Sequence, residues 1–197
     1  PVVDLHCHVL PGIDDGAPDV ETSLRFLRLA REGGTTDVVA TPHQHPGRYP
    51  NTAERIRAAH ATLLEAMRRS GEELPRVHVG AEVHLDGDLR RLVASGELLR
   101  LAGTPWLLLE LPDVFRMKDV EQLVFELQVD GVRPILAHPE RIGQFLRQPD
   151  QLITLIGRGA LGQATGSSIA GVFGEPCRSI TERWMREGLL HLVASDA

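Results

Sequence analysis

Val2-Val3-Asp4-Leu5-His6-Cys7-His8 sets two imidazoles two residues apart at the end of a short apolar run. The run reads as a strand, whose period of two sends His6 and His8 to one face and Cys7 to the other. Cys7 is therefore expected to be a small buried residue. A Pro11-Gly12 turn follows, and then Asp14-Asp15-Gly16. Alone, that triplet is a turn with Asx chemistry and a glycine for positive φ. An isolated His-x-His is also a weak signal, so its meaning depends on what the other strands present.

Six further strand-like runs follow: Asp37–Thr41, Val77–Val83, Trp106–Leu111, Pro134–Ala137, Leu161–Thr165 and His191–Ser195. Helical periodicities separate them. Val20, Leu24, Leu27 and Ala30 form a stripe that stops at Gly33-Gly34, and Ile56, Ala59, Leu63 and Met67 another before Ser70-Gly71. Val120, Leu123, Val124 and Leu127 repeat the pattern, and a weaker stripe runs from Ile180 to Trp184. Residues 85–98 and 141–157 read as shorter helices. Strands apolar on both faces, alternating with helices, predict a parallel sheet covered by helices.

Closure of that sheet is decided by the polar residues. His6 and His8 end the first run, His43 lies just beyond the second, and Glu82, Glu110, His138 and Asp196 end the third, fourth, fifth and seventh. A barrel gathers such strand ends around one mouth, which favours a small seven-stranded barrel over an open sheet. Glu110, inside Leu107-Leu108-Leu109-Glu110-Leu111, is hard to dismiss as structural, because a carboxylate in an apolar strand costs several kcal/mol unless paired. Imidazole and carboxylate without thiolate suit Mn²⁺, Fe²⁺ or Zn²⁺. So many ligands exceed what one ion needs, and two or three ions sharing a carboxylate are implied. Paired ions about 3.5–4 Å apart can hold a hydroxide and clamp an in-line phosphoryl displacement.

The bulk composition sets limits. The chain has 197 residues, 42% apolar and 24% charged, which is enough for one domain with a real core. A net charge of −6 and only 4% aromatic residues argue against a nucleic-acid partner. Two cysteines make no disulfide framework, and a cytoplasmic location without membrane insertion is expected. Pro1 is what removal of an initiator Met would leave.

These motifs resemble the PHP (polymerase and histidinol phosphatase) superfamily. The residues that carry the likeness are Asp4-Leu5-His6-Cys7-His8, Asp14-Asp15-Gly16, Thr41-Pro42-His43, Gly80-Ala81-Glu82, Leu109-Glu110, Ala137-His138-Pro139-Glu140-Arg141 and Ala194-Ser195-Asp196. Within it they are similar to the metal-dependent protein-tyrosine phosphatases of bacterial capsule and exopolysaccharide operons. The resemblance implies a distorted seven-stranded (β/α) TIM-like barrel and two or three divalent ions, manganese first, with iron or zinc as alternatives. It implies one site of His6, His8, Glu82 and Asp196, and a second of Glu82 as bridge with Glu110 and His138. A third would use Asp15, His43 and a histidine two residues past Asp196. The chain stops before that position, so a truncation at the C-terminus is expected.

The implied reaction is attack of metal-bound hydroxide on the phosphotyrosine of a bacterial kinase's tyrosine-rich tail. Glu82 and Asp196 support the chemistry, Arg141 grips the phosphate, and Arg48 is a second candidate for that grip. Homo-oligomerisation stays open. The alternatives are another phosphoesterase of the superfamily, such as one for histidinol phosphate, or a binding module without catalysis. A metal-dependent amidohydrolase ranks last, since Lys118 is the one lysine. Glu140 reads as a helix N-terminal acid. His60, His78 and His191 read as structural, and His45 and His84 as residues near the mouth. Cys177 and Arg183 match a Cys-x5-Arg spacing. However, a thiol phosphatase needs a glycine-rich phosphate loop, and this stretch reads as helix with its ends on different sides.

Overall fold

The computed structural model describes residues 2–85 and 89–197. In chain order the elements are β1 (Val2–Cys7), α1 (Val20–Glu32), β2 (Thr35–Ala40), β3 (His43–Gln44), α2 (Ala53–Ser70), β4 (Arg76–Val79), β5 (Glu82–His84) and α3 (Leu89–Ala94). They continue with β6 (Trp106–Glu110), α4 (Met117–Val129), β7 (Arg133–Ala137), α5 (Gly143–Arg147), α6 (Pro149–Gly157), β8 (Leu161–Thr165), α7 (Gly166–Ile169), α8 (Glu175–Arg186) and β9 (Leu192–Ala194). Single 3₁₀ turns lie at Leu101–Gly103 and Pro139–Arg141.

Local chemistry starts the helices where the sequence predicts them. Asp19 caps α1 by accepting the Thr22 N–H at 2.8 Å, and Thr52 caps α2 by accepting the Arg55 N–H at 3.1 Å. Gly71 ends α2 at φ 67°, a conformation that suits glycine. Leu24 and Leu27, Ile56 and Leu63, and Val120, Val124 and Leu127 are the buried stripes. Of the helix expected over 85–98, residues 86–88 lie outside the described residues.

Every strand pairing within the sheets is parallel. β1, β2 and β4 form one sheet, and β3, β5, β6, β7, β8 and β9 the other, in that order. One expected run, Val77–Val83, is interrupted, and past the end of another, Asp37–Thr41, strand pairing resumes at His43, which corrects the sequence reading. Thr41-Pro42 separates β2 from β3, and Gly80-Ala81 separates β4 from β5. Proline has no N–H for a ladder, and at Gly80 a Cβ would press on Leu101 and Val39 at 3.1 Å. The breaks stay bonded, with Gly80 N–H on the Ala40 carbonyl (2.8 Å) and Glu82 N–H on that of Pro42 (3.1 Å).

At the far edge, Asp196 N–H reaches the His6 carbonyl at 2.8 Å and His8 N–H the Ala197 carbonyl at 2.7 Å. The architecture is thus α/β and barrel-like. A small cluster of Val39, Leu101, Leu108, Ile135 and Ala137 fills the space on one face of the strands. Leu107, Leu109 and Leu136 turn to the other face, into a larger cluster shared with the helices. The ends of β1, β3, β5, β6, β7, β8 and β9, or the residues just past them, open to one side and line one cleft.

Candidate metal centre

Glu82, at the start of β5, is fully buried at the centre of that open side. Its Oε2 has His43 Nδ1 at 3.0 Å and His6 Nε2 and His8 Nε2 each at 3.4 Å. Its Oε1 lies 2.9 Å from His138 Nε2. Asp196 Oδ1 approaches His6 Nε2 at 3.2 Å and His8 Nε2 at 3.4 Å. Four ligand groups result: His6, His8 and Asp196; His8, His43 and Glu82; Glu82, Glu110 and His138; and His8, Asp14 and Asp15.

The imidazoles are held in a ligating tautomer. His6 Nδ1 faces Gln163 Oε1 at 2.8 Å, and His8 Nδ1 faces Asp14 Oδ2 at 2.9 Å. Both partners accept, so each Nδ1 carries hydrogen, and it is Nε2 that turns inward and offers a lone pair once its proton is displaced. The two Nε2 atoms stand 3.1 Å apart beside two carboxylate oxygens. Glu82 Oε2, His43 Nδ1 and His138 Nδ1 are buried without a hydrogen-bond partner. A buried, unsatisfied cluster of this kind is unfavourable alone and fits divalent cations.

Electrostatics agree. Burial disfavours ionised Glu82, but the charges and bonds of His6, His138 and His8 outweigh it and hold the carboxyl well below its usual range. Asp196 is likewise lowered, burial being outweighed by His8, His6 and His138. Burial lowers His8, yet Asp14, Asp196 and Glu82 raise it well above an ordinary imidazole, and Glu82 and Asp196 raise His6 in the same way. Burial lowers His43. Glu110 is pushed up to about 7 by burial and by the neighbouring Glu82 charge.

Backbone strain gathers here too. His138 has φ 32° and Asp196 φ 54°, left-handed values that few non-glycine residues adopt. Arg141, from the turn after β7, donates to Asp196 Oδ2 at 2.7 Å, and Thr165 Oγ1 donates to the same oxygen at 3.1 Å. A cleft of about 680 Å³ opens above the cluster, lined by Arg141, Arg48, Tyr49, Leu111, Ile142 and Phe173 among others.

The structure brings all ten predicted site residues to this cleft or its floor. Asp15 is half-exposed, 3.5 Å from His43 Nε2, and Arg48 is mostly exposed, 3.9 Å from Asp15. Sequence reasoning missed the orienting roles of Asp14 and Gln163. Asp14 accepts from His8 and from the His43 backbone N–H, yet in sequence it is half of an ambiguous acidic pair. Gln163 is a polar residue inside the apolar β8 run, a signal that was readable. Tyr49, stacked 5.2 Å from His43 and within 5° of parallel, left no mark.

Two expectations change. Gly16 does not adopt positive φ: a Cβ there would lie 2.0 Å from the His8 carbonyl oxygen, so close approach demands glycine. Glu140 does not serve its own turn; fully buried, it accepts the Thr165 N–H and the Ser168 hydroxyl at 2.9 and 2.8 Å, tying down the start of α7.

The remaining histidines and cysteines fall as expected. His60, His78 and His191 bond Val77, Asp37 and Gly162 away from the cleft, and His45 and His84 stack at 4.0 Å beside it. Cys7 is buried, which with the nearby Asp4 charge pushes its thiol up to about 12. Cys177 and Arg183 lie on α8, with Arg183 paired to Glu187.

The fold and site define a parallel α/β protein with a multi-ligand, cation-type centre at its strand ends. A family profile described as "Capsular polysaccharide synthesis, CpsB/CapC" matches residues 2–197, and the chain belongs to that family. The tyrosine-protein phosphatase YwqE of Bacillus subtilis (strain 168) is 36% identical over 198 residues, spanning 100% of this chain and 77% of that protein. The tyrosine-protein phosphatase CpsB of Streptococcus agalactiae serotype III (strain NEM316) is 24% identical, spanning 99% and 82%. Among solved structures, one from a study of YwqE from Bacillus subtilis and CpsB from Streptococcus pneumoniae, described as unique metal-dependent tyrosine phosphatases, superposes with a TM-score of 0.94. It shares 35% identity and covers 100% of this chain and 79% of that one. D-hydantoinase from Bacillus sp. AR9, at TM-score 0.52 and 12% identity over 98% of this chain and 57% of its own, bears on the fold alone.

Proposed function

We propose that this chain is a metal-dependent protein-tyrosine phosphatase that hydrolyses phosphotyrosine on the tail of a bacterial tyrosine kinase of capsule or exopolysaccharide synthesis. The observation that carries the reading is the buried Glu82, with four imidazoles converging on it beneath a cleft that holds Arg141. The ligands are His6, His8, Glu82 and Asp196; Glu82, Glu110 and His138; and Asp15 with His43. Two or three divalent ions, manganese first, supply Lewis acidity and positive charge there.

The chain's own residues do the rest. Asp14 and Gln163 hold the tautomers of His8 and His6. Arg141 offers a planar fork that grips phosphate oxygens in two hydrogen bonds, and Arg48 at the rim adds a second cation. The walls of Leu111, Ile142 and Phe173 flank the ester group. A departing phenolate, of parent pKa about 10, needs little protonation. The cleft provides no thiol for a covalent route, since Cys7 points into the core and Cys177 sits on a helix.

The same reading takes the two bonded breaks and the Asp196–His6 and His8–Ala197 links as one distorted seven-stranded barrel forming a single domain. A cytoplasmic site of action accords with the kinase substrate and the two free cysteines. Among the described residues no helix is long and apolar enough to cross a membrane.

The test is hydrolysis of a phosphotyrosyl peptide by the purified chain with added Mn²⁺, alongside histidinol phosphate. Phosphotyrosine is expected to be the better substrate. Chelation should abolish the activity, and Cys177→Ser should keep it. Chelator-resistant turnover, or loss in the cysteine variant, would overturn the proposal.

A further inference from the structure

We propose that Phe173 is an aryl-recognition residue, selecting phosphate esters whose leaving group is an aromatic ring. The inference rests on the phosphatase reading above and adds to it the source of ring selectivity.

Phe173 lies between α7 and α8, in a short stretch turned by Gly171 at φ 79° and Gly174 at φ 88°. Phe173 is 46% exposed and belongs to neither hydrophobic cluster, so it adds little to the core. It lines the cleft nonetheless. The Arg141 guanidinium sits over this ring, 4.7 Å from its centroid, while donating to Asp196. A direct line of contact therefore runs from the cation-type centre through Arg141 to an open aromatic surface.

A phosphoryl group gripped by Arg141 directs its ester substituent toward solvent, past whatever borders that guanidinium. Phe173, in contact with that guanidinium, is part of that border. Aromatic rings pair edge-to-face or offset at 4.5–7 Å, a geometry that a phenyl ester meets and a short alkyl ester does not. The side chain of phosphoserine carries no ring to meet it.

A purely positional role, in which Phe173 only props Arg141, makes a different prediction, and ligand pairs separate the two. Phenylphosphonate and methylphosphonate present the same anion with and without a ring. With the full chain loaded with Mn²⁺, titration calorimetry of both is measured for the parent and for Phe173→Ala, Phe173→Leu and Phe173→Tyr.

The parent should prefer the phenyl ligand. Phe173→Ala and Phe173→Leu should reduce that preference about two- to tenfold while holding methylphosphonate, and Phe173→Tyr should restore it. The ratio of kcat/KM for phosphotyrosyl over phosphoseryl peptides should fall in step. An unchanged preference, or equal weakening of both ligands, overturns the inference and leaves the phosphatase reading standing. A parent chain that binds neither anion overturns both.

Discussion

Asp14 sits behind the cleft lining, where it decides which nitrogen of His8 faces inward. Its Oδ2 takes the His8 Nδ1 hydrogen at 2.9 Å and the His43 backbone N–H at 3.1 Å, so one carboxylate orients two candidate ligands from different strands. Removing the charge while keeping the shape should loosen both rings. Asp14→Asn is expected to weaken Mn²⁺ binding about 10–100-fold with little change in fold. Titration calorimetry on metal-free protein checks this, and an unchanged affinity would reject the orienting role. At this scale the candidate ligands stood out in the sequence, because His6, Glu82 and Asp196 are polar residues ending apolar runs. Their supports did not. Asp14 and Asp15 look alike in sequence, and only the approach of His8 and His43 distinguishes them.

The strand ends and turns add constraints that no single side chain carries. The turn after β1 folds back so closely that Gly16 abuts its own His8 carbonyl. Gly16→Ala should therefore push the acidic turn away from β1 and cost several kcal/mol, read as a lowered urea midpoint together with lost metal. A variant as stable as the parent would mean that the loop relaxes freely. Glu140 ties the turn after β7 to α7 through Thr165 and Ser168. Glu140→Ala strands two buried donors and should lose about 1–3 kcal/mol in denaturant unfolding, more than Glu140→Gln, which keeps the Oε1 acceptor. Alternation of strands and helices was readable from apolar periodicity. The break at Gly80-Ala81, and the resumption of strand at His43 past Pro42, were not, since both depend on the close approach of neighbouring segments. Yet these breaks set His43 against Glu82 in register, and so help build the site.

Across the whole molecule, Asp14, Asp15, Glu82, Glu110 and Asp196 share one pocket with four imidazoles, and protons and cations compete for it. Without metal, His6 and His8 have raised pKa values, so their stabilising contribution is full below about 6.5 and is lost as pH rises through the folded values. Glu110 acts in the same direction: with a folded pKa of about 7, its contribution is present below about 4.5 and gone by neutrality. Glu82, Asp14 and Asp196 are depressed, and their contribution stands above about 4 to 4.5 and is lost in acid. His43 is also depressed, which disfavours the fold below about 6.5. The metal-free chain should therefore be most stable in mildly acidic solution and should weaken toward pH 8. A tenfold difference in proton affinity between folded and unfolded chain is worth about 1.4 kcal/mol, and each kcal/mol about 2–4 °C of Tm for a chain of this size. Cations need the deprotonated ligands, so Mn²⁺ should reverse the trend by displacing protons. Thermal unfolding with chelator should show Tm falling from pH 6 to pH 8. Excess Mn²⁺ should raise Tm more at pH 8 than at pH 6. A chelated Tm that is flat over that range, or an equal rise at both pH values, would mean that the pocket's protons and its cations are not linked as this geometry requires.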